Sequence, residues 1–126
     1  MFMELFLVGI GGFLGSCLRF IITKATTNFG ASFPLGTLLS NVIAGVAIGF
    51  IVGLGTFSPK SKLFAMTGLL GGLSTFSAFS LETVTLFIDG KYFISALNVL
   101  MNFGLSLFGV ALGMSLARML KKSVLL

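Results

Sequence analysis

Charged positions cut this chain into long apolar stretches. No Asp, Glu, Lys or Arg falls within residues 5–18, 25–59, 63–81 or 92–117. A helix crossing the hydrocarbon core of a bilayer needs about 20 mostly apolar residues. The pattern therefore predicts four spans, at about 3–23, 37–56, 63–88 and 92–120. The first reaches that length if Arg19 faces protein or snorkels to the interface. The second follows a loop, Thr26 to Pro34, rich in turn-forming residues. Short connections leave no linker or soluble module, so residues 1–126 read as a single all-α transmembrane domain.

Composition agrees. The 126 residues are 56 % hydrophobic and 9 % charged, with a mean hydropathy of +1.15, whereas soluble domains carry roughly 25 % charged residues. There is no His, one Cys, and only Glu4, Glu82 and Asp89 as acids. Such a set cannot build a His/Cys metal cluster, a Ser-His-Asp triad or an internal disulfide, so an enzyme is not expected. The net charge of +5 sits at segment ends without a continuous basic stripe, which argues against nucleic acid as a partner. The N-terminus carries Glu4 and no preceding cation, unlike a cleaved signal. Gly9 to Gly15 imitates a dinucleotide turn, but no acid follows about 20 residues on and no room exists for βαβ units.

Glycines four apart recur as Gly11/Gly15, Gly45/Gly49/Gly53, Gly68/Gly72 and Gly109/Gly113. Small residues at this spacing let helix backbones approach closely. Faces on every span predict more helix partners than four helices supply internally, and hence an oligomer. Lys60, Lys62, Arg118, Lys121 and Lys122 fall on the side of the termini, against Lys24 and Lys91 opposite. That bias favours both ends in the cytoplasm, modestly enough to leave insertion in both orientations open.

Span three is unusual. Residues 68–80 read GLLGGLSTFSAFS, and adjacent glycines followed by hydroxyl residues predict an interruption. Counting from Lys62 at ~1.5 Å per residue puts Gly71 and Thr75 at roughly 13 and 20 Å, bracketing the midplane. Unwound backbone at that depth must be buried in protein or line a cavity, and its carbonyls can coordinate a small cation. Phe76 and Phe79 share a helix face just beyond. Packing is the ordinary role of such a pair, although electropositive ring edges in a narrow cavity also favour an anion. Asn41 can donate to an anion or bridge helices. Ser95, Asn98, Asn102 and Ser106 form one polar face of span four, suited equally to interhelical hydrogen bonds and to lining a pore. Arg19 and Glu82 are the ionisable residues within spans, open to functional roles, to an ion pair or to anchoring.

Three blocks, GGFLGSCLRF at 11–20, GTLLSNVIAG at 36–45 and GLLGGLSTFSAFSLE at 68–82, resemble GGxxGAxxRY, GTLxVNxxG and GxxGGxTTFSTFS of the fluoride channel family (Fluc, also called CrcB). The resemblance covers essentially the whole chain in the same order, and the third block is the specific one. It implies an antiparallel, dual-topology homodimer with two fluoride paths at the subunit interface, in a bacterial inner (plasma) membrane. It implies a structural, untransported Na⁺ on backbone carbonyls that map to Gly71 and Ser74. Phe76 and Phe79 then line the path, with Asn41, Ser77, Ser80, Ser106, Glu82 and Asn102 along or near it and Arg19 in a vestibule or structural position. Passive fluoride export would relieve fluoride toxicity.

The chain departs from the family pattern at Ser74 and Ala78, where the family has Thr, and at Asn98 and Asn102, where it often has Tyr and Ser. Ser74 keeps the carbonyl; Ala78 loses a hydroxyl. The rival readings are a small proton-coupled exporter, for which Glu82 is the sole available acid, and one subunit of a heterodimeric channel.

Overall fold

The computed structural model describes residues 1–29 and 32–124, and these form helices and turns with no strand among them. Helix α1 spans Phe2–Thr26, α2 Leu35–Leu54, α3 Pro59–Lys62, α4 Gly71–Leu73, α5 Phe76–Ile88 and α6 Tyr92–Val124, with a π-helical stretch, Leu63–Leu70, between α3 and α4. Among the described residues, four units are long and apolar enough to cross a membrane: Phe2–Thr26, Leu35–Leu54, Pro59–Ile88 and Tyr92–Val124. The loop expected at 26–34 includes residues 30 and 31, which lie outside the described residues.

Local chemistry explains the ends. Glu4 in the first turn of α1 meets the N-terminal ammonium at 3.3 Å, and Lys24 lies in the last turn, so both charges complement the helix dipole. Thr26 and Thr27 hydroxyls donate to the carbonyls of Ile22 and Thr23, each at 2.8 Å, closing that end. Helix α2 stops at Leu54, two residues before the expected end at 56, because Gly55 adopts a left-handed φ of 66° and donates back to Ile51. The third unit starts at Pro59, earlier than the expected 63: Ser58 Oγ accepts from Ser61 N at 3.2 Å, and Pro59 occupies the first turn. Its two lysines belong to the exposed first turn of the helix. Helix α6, with 33 residues, is about 50 Å long, well beyond a ~30 Å core. Its basic end therefore projects toward the polar layer, where Lys121 Nζ donates to Leu54 O at 3.5 Å.

The glycine faces are consumed within the chain. A Cβ on Gly68 would stand 2.8 Å from Val8 O, and one on Gly72 2.6 Å from Gly12 O, so α1 lies against the first half of the third unit. A Cβ on Gly45 would stand 2.9 Å from Ser106 O, and one on Gly109 3.3 Å from Val42 O, which locks α2 to α6. The expectation that these faces demand partners from outside is thus corrected: the helices pair two by two, and each glycine face meets another part of the same chain. Large buried apolar side chains are few, centred on Leu70, Leu73 and Ala44, whereas Phe6, Phe13, Phe20, Phe87, Phe93 and Phe108 point outward. That inverted distribution suits hydrocarbon as the solvent.

Candidate functional site

Between α4 and α5 two residues leave the helical path. Ser74 has ψ 152° and Thr75 has φ −152°, ψ 121°, both extended, which frees backbone groups that hydrocarbon would penalise. Side chains from α1 and α2, with those of Ser74 and Thr75 themselves, satisfy most of them. Ser74 N and Oγ both donate to Leu70 O, at 3.0 and 2.9 Å. Arg19 Nε, reaching from α1, donates to Gly72 O at 3.1 Å. Thr75 acts as N-cap of α5, its Oγ1 accepting from Ala78 N at 3.2 Å. Asn41 of α2 clamps Thr75 from both sides: Oδ1 accepts from Thr75 N at 2.7 Å, and Nδ2 donates to Thr75 O at 3.3 Å. These side-chain bonds fall on the carbonyls of Leu70, Gly72 and Thr75, and none of them on Gly71 or Ser74.

A line of polar side chains continues from Asn41 into α6. Asn41 Nδ2 also donates to Asn102 Oδ1 at 2.9 Å, and Asn102 Nδ2 donates to Asn98 O at 3.0 Å and Asn98 Oδ1 at 2.9 Å. Asn98 Nδ2 reaches Thr83 Oγ1 at 2.9 Å, and Ser95 Oγ reaches Thr83 O at 2.8 Å. Ser95, Asn98 and Asn102 are all buried. Helical spacing put these groups on one face; the structure turns Ser95 and Asn98 toward α5 and Asn102 toward α2 as interhelical hydrogen bonding.

Two cavities flank the extended residues. One, of about 380 Å³, is lined by Asn41, Gly71, Ser74, Thr75, Phe76, Phe79, Asn102 and Ser106 together with apolar side chains, and no charged residue borders it. Phe79 is buried, while Phe76 is 70 % exposed on the open flank. Their ring centroids are 5.5 Å apart. Phe103, which sequence reasoning missed, stands edge-on to Phe79 with centroids 5.8 Å apart and lines the same cavity. Only its position next to Asn102 hints at this. Ser106 Oγ is buried without a hydrogen-bond partner among the described residues.

The other cavity, about 410 Å³, is bordered by Arg19, Glu82, Thr37, Ser16, Thr23, Phe20, Ala78 and Thr75, so Thr75 lies on both. Arg19 and Glu82 share this wall without pairing; the ion pair found among the described residues is that of Met1 with Glu4. Glu82 Oε1 instead accepts from Thr37 Oγ1 at 2.6 Å, a partner that the GTLLSN block did not reveal as such, and Oε2 has none among the described residues. Ser77 and Ser80 border neither cavity. Ser77 Oγ lies 3.2 Å from Thr75 Oγ1, and Ser80 Oγ donates to Phe76 O at 2.8 Å. The candidate residues thus divide into a neutral group around the Phe pair and a charged group around Arg19 and Glu82.

The chain matches the family described as CrcB-like protein, Camphor Resistance (CrcB), over residues 6–114. It is 44 % identical over 119 residues to a fluoride-specific ion channel FluC of Clostridium perfringens, covering 90 % of this chain and 93 % of the relative. A protein of the same name from Roseiflexus sp. is 43 % identical over 123 residues, covering 94 % and 99 % of the two chains. One from Shewanella sp. is 45 % identical over 117 residues, covering 90 % and 94 %. With four membrane-crossing units and a match across nearly its whole length, this chain is a multi-pass membrane protein that belongs to the CrcB family.

Proposed function

We propose that this chain is a subunit of a fluoride-selective channel that lets fluoride leave the cell passively and so limits its toxicity. The observation that carries this reading is the lining of the cavity beside Ser74 and Thr75: two carboxamides, a hydroxyl unpartnered among the described residues, and phenyl rings, with no charge. Fluoride must surrender strongly held water to pass a constriction, and selective pores replace that water with fixed donors. Ser106 Oγ is such a donor. Both N–H groups of Asn41 are engaged, and the amide could serve by yielding its longer bond, 3.3 Å to Thr75 O, while the edges of Phe76 and Phe79 carry the positive part of the ring quadrupole. A site without a charged side chain binds the anion weakly enough to release it. A negative interior supplies the driving force, ~2.3 kcal/mol per charge for each 100 mV.

The open flank of the cavity, where Phe76 faces outward, supports an assembly of two chains. A second copy in antiparallel orientation would close it and create two equivalent paths, with the third span of each broken near the midplane of a bacterial inner membrane. The carbonyls of Gly71 and Ser74, which take none of the side-chain bonds at the break, suit a hard monovalent cation such as Na⁺. Cations of this kind prefer a full set of oxygen ligands, more than two carbonyls of one chain provide, so the second copy would supply the rest. Bound there, Na⁺ would hold the two chains together and lend positive potential to the paths.

Purified chain reconstituted in liposomes tests the reading, with fluoride efflux followed by electrode under a K⁺ shunt. Rapid efflux without a pH gradient is expected. Efflux that needs a pH gradient would replace the channel with a proton-coupled exporter, and efflux only after adding a homologous chain would make it half of a heterodimer.

A further inference from the structure

Three carboxamides and one hydroxyl form a single hydrogen-bonded line from Thr75 to the carbonyl of Phe79, and its sense can be worked out from its ends. A backbone N–H can only donate, so the Asn41 atom facing Thr75 N at 2.7 Å is its oxygen. The amide nitrogen of Asn41 therefore faces Asn102, which must present its own oxygen, at 2.9 Å. Asn102 then turns its nitrogen to Asn98 O and Oδ1, and Asn98 turns its nitrogen to Thr83 Oγ1. Thr83 can accept there because its proton is spent on Phe79 O at 2.7 Å, and a carbonyl can only accept. Reversing Asn41 or Asn102 would set donor against donor or acceptor against acceptor at three contacts, and reversing Asn98 would do so at two while Thr83 keeps its proton on Phe79 O.

The geometry points to Asn102, Asn98 and Thr83 as positioning residues that reinforce Thr75 in holding the Asn41 carboxamide in one of its two flip states. Asn102, placed by sequence along the ion path, spends its donors inward on Asn98 and shows Asn41 only an acceptor. It orients the donor and is not itself an anion ligand. Asn98 is completely buried and Asn102 nearly so, so water cannot substitute for a lost member, and low polarity raises the penalty for a mismatched amide. Thr83 lies outside both cavities, which makes it the remote handle on the line. The functional consequence rests on the fluoride reading above; the locked orientation does not.

The test compares Thr83→Val and Thr83→Ser with the parent chain. Val keeps the shape of Thr but gives Asn98 no acceptor, which releases Asn98 and then Asn102 to sample the reversed state. Fluoride efflux from liposomes, normalised to the amount of assembled protein, should fall about fivefold in Thr83→Val, the equivalent of one net hydrogen bond, and Thr83→Ser should restore it. Side-chain ¹⁵N–¹H spectra of the chain in micelles give an independent reading. The Asn41 and Asn102 amide signals should shift or double in Thr83→Val and return in Thr83→Ser. Parental efflux in Thr83→Val, or amide signals that do not move, would overturn the relay. If the parent chain passes no fluoride, the channel reading fails, and the amide spectra alone decide whether the line sets Asn41.

Discussion

Thr75 gives its backbone N–H to Asn41 Oδ1 at 2.7 Å and takes back an Asn41 Nδ2 bond on its carbonyl at 3.3 Å. One side chain thus replaces the helical partners that both groups lose. The same amide lines the neutral cavity, and its longer bond, to Thr75 O, is the one it could yield to an ion. Asn41→Leu should consequently fail in two ways. Leaving two backbone groups unpaired costs about 1–3 kcal/mol each, and the donor to the cavity disappears. A lower unfolding temperature in detergent, with fluoride efflux near that of empty liposomes, is the expected pair of results.

The two phenylalanines should separate stability from flux. Phe79 is buried and edge-on to Phe103, an arrangement worth about 0.5–1.5 kcal/mol beyond burial. Phe76 is largely exposed in the single chain. Phe79→Ile should lower both flux and thermal stability. Phe76→Ile should slow fluoride efflux sharply while assembly, judged by gel filtration, stays intact. Unchanged efflux in Phe76→Ile would remove the ring-edge role.

What the chain reveals in sequence depends on range. Span positions follow from where charge is tolerated, and the face shared by Asn98 and Asn102 follows from helical spacing, because both are set by the nearest few residues. The start at Ser58-Pro59 was legible in principle, as a cap followed by proline, but Lys60 and Lys62 read as the boundary of a span instead of its first turn. The partners of the glycine faces were not legible. Nothing within Gly45 or Gly109 says whether the opposing backbone is another helix of this chain or of a second one. The same applies to Thr37 and Phe103, whose significance lies wholly in Glu82 and Phe79 across a helix interface. Nor could sequence orient an amide: only Thr75 N–H and Phe79 C=O, brought to the two ends of one line, do that.

The close helix pairs predict opposite responses to the same small change. A methyl group on Gly45 would meet the Ser106 carbonyl at 2.9 Å, and backbone cannot move aside without separating α2 from α6. Gly45→Ala should destabilise by about 1–3 kcal/mol, the usual cost of overpacking. Gly9 has nothing within 4 Å of such a methyl, so Gly9→Ala should be neutral or stabilising by up to about 1 kcal/mol through helix propensity. Thermal unfolding of the two variants in the same detergent distinguishes them.

Substitution at Ser74 should discriminate between its side chain and its carbonyl. The hydroxyl donates to Leu70 O at 2.9 Å, an acceptor that Ser74 N already serves at 3.0 Å. Removing the hydroxyl therefore leaves no backbone group without a partner, and Ser74→Ala should cost no more than about 1 kcal/mol. The carbonyl survives that change, and so should any cation site built on it. Replacing Na⁺ with a bulky organic cation during purification and reconstitution should reduce fluoride efflux and thermal stability equally in the parent chain and in Ser74→Ala. If Ser74→Ala alone lost its response to Na⁺, the ligand would be the hydroxyl. If neither protein responded to Na⁺ removal, the carbonyls of Gly71 and Ser74 would have no cation to hold, and the proposed union of two chains would have to rest on their apolar surfaces.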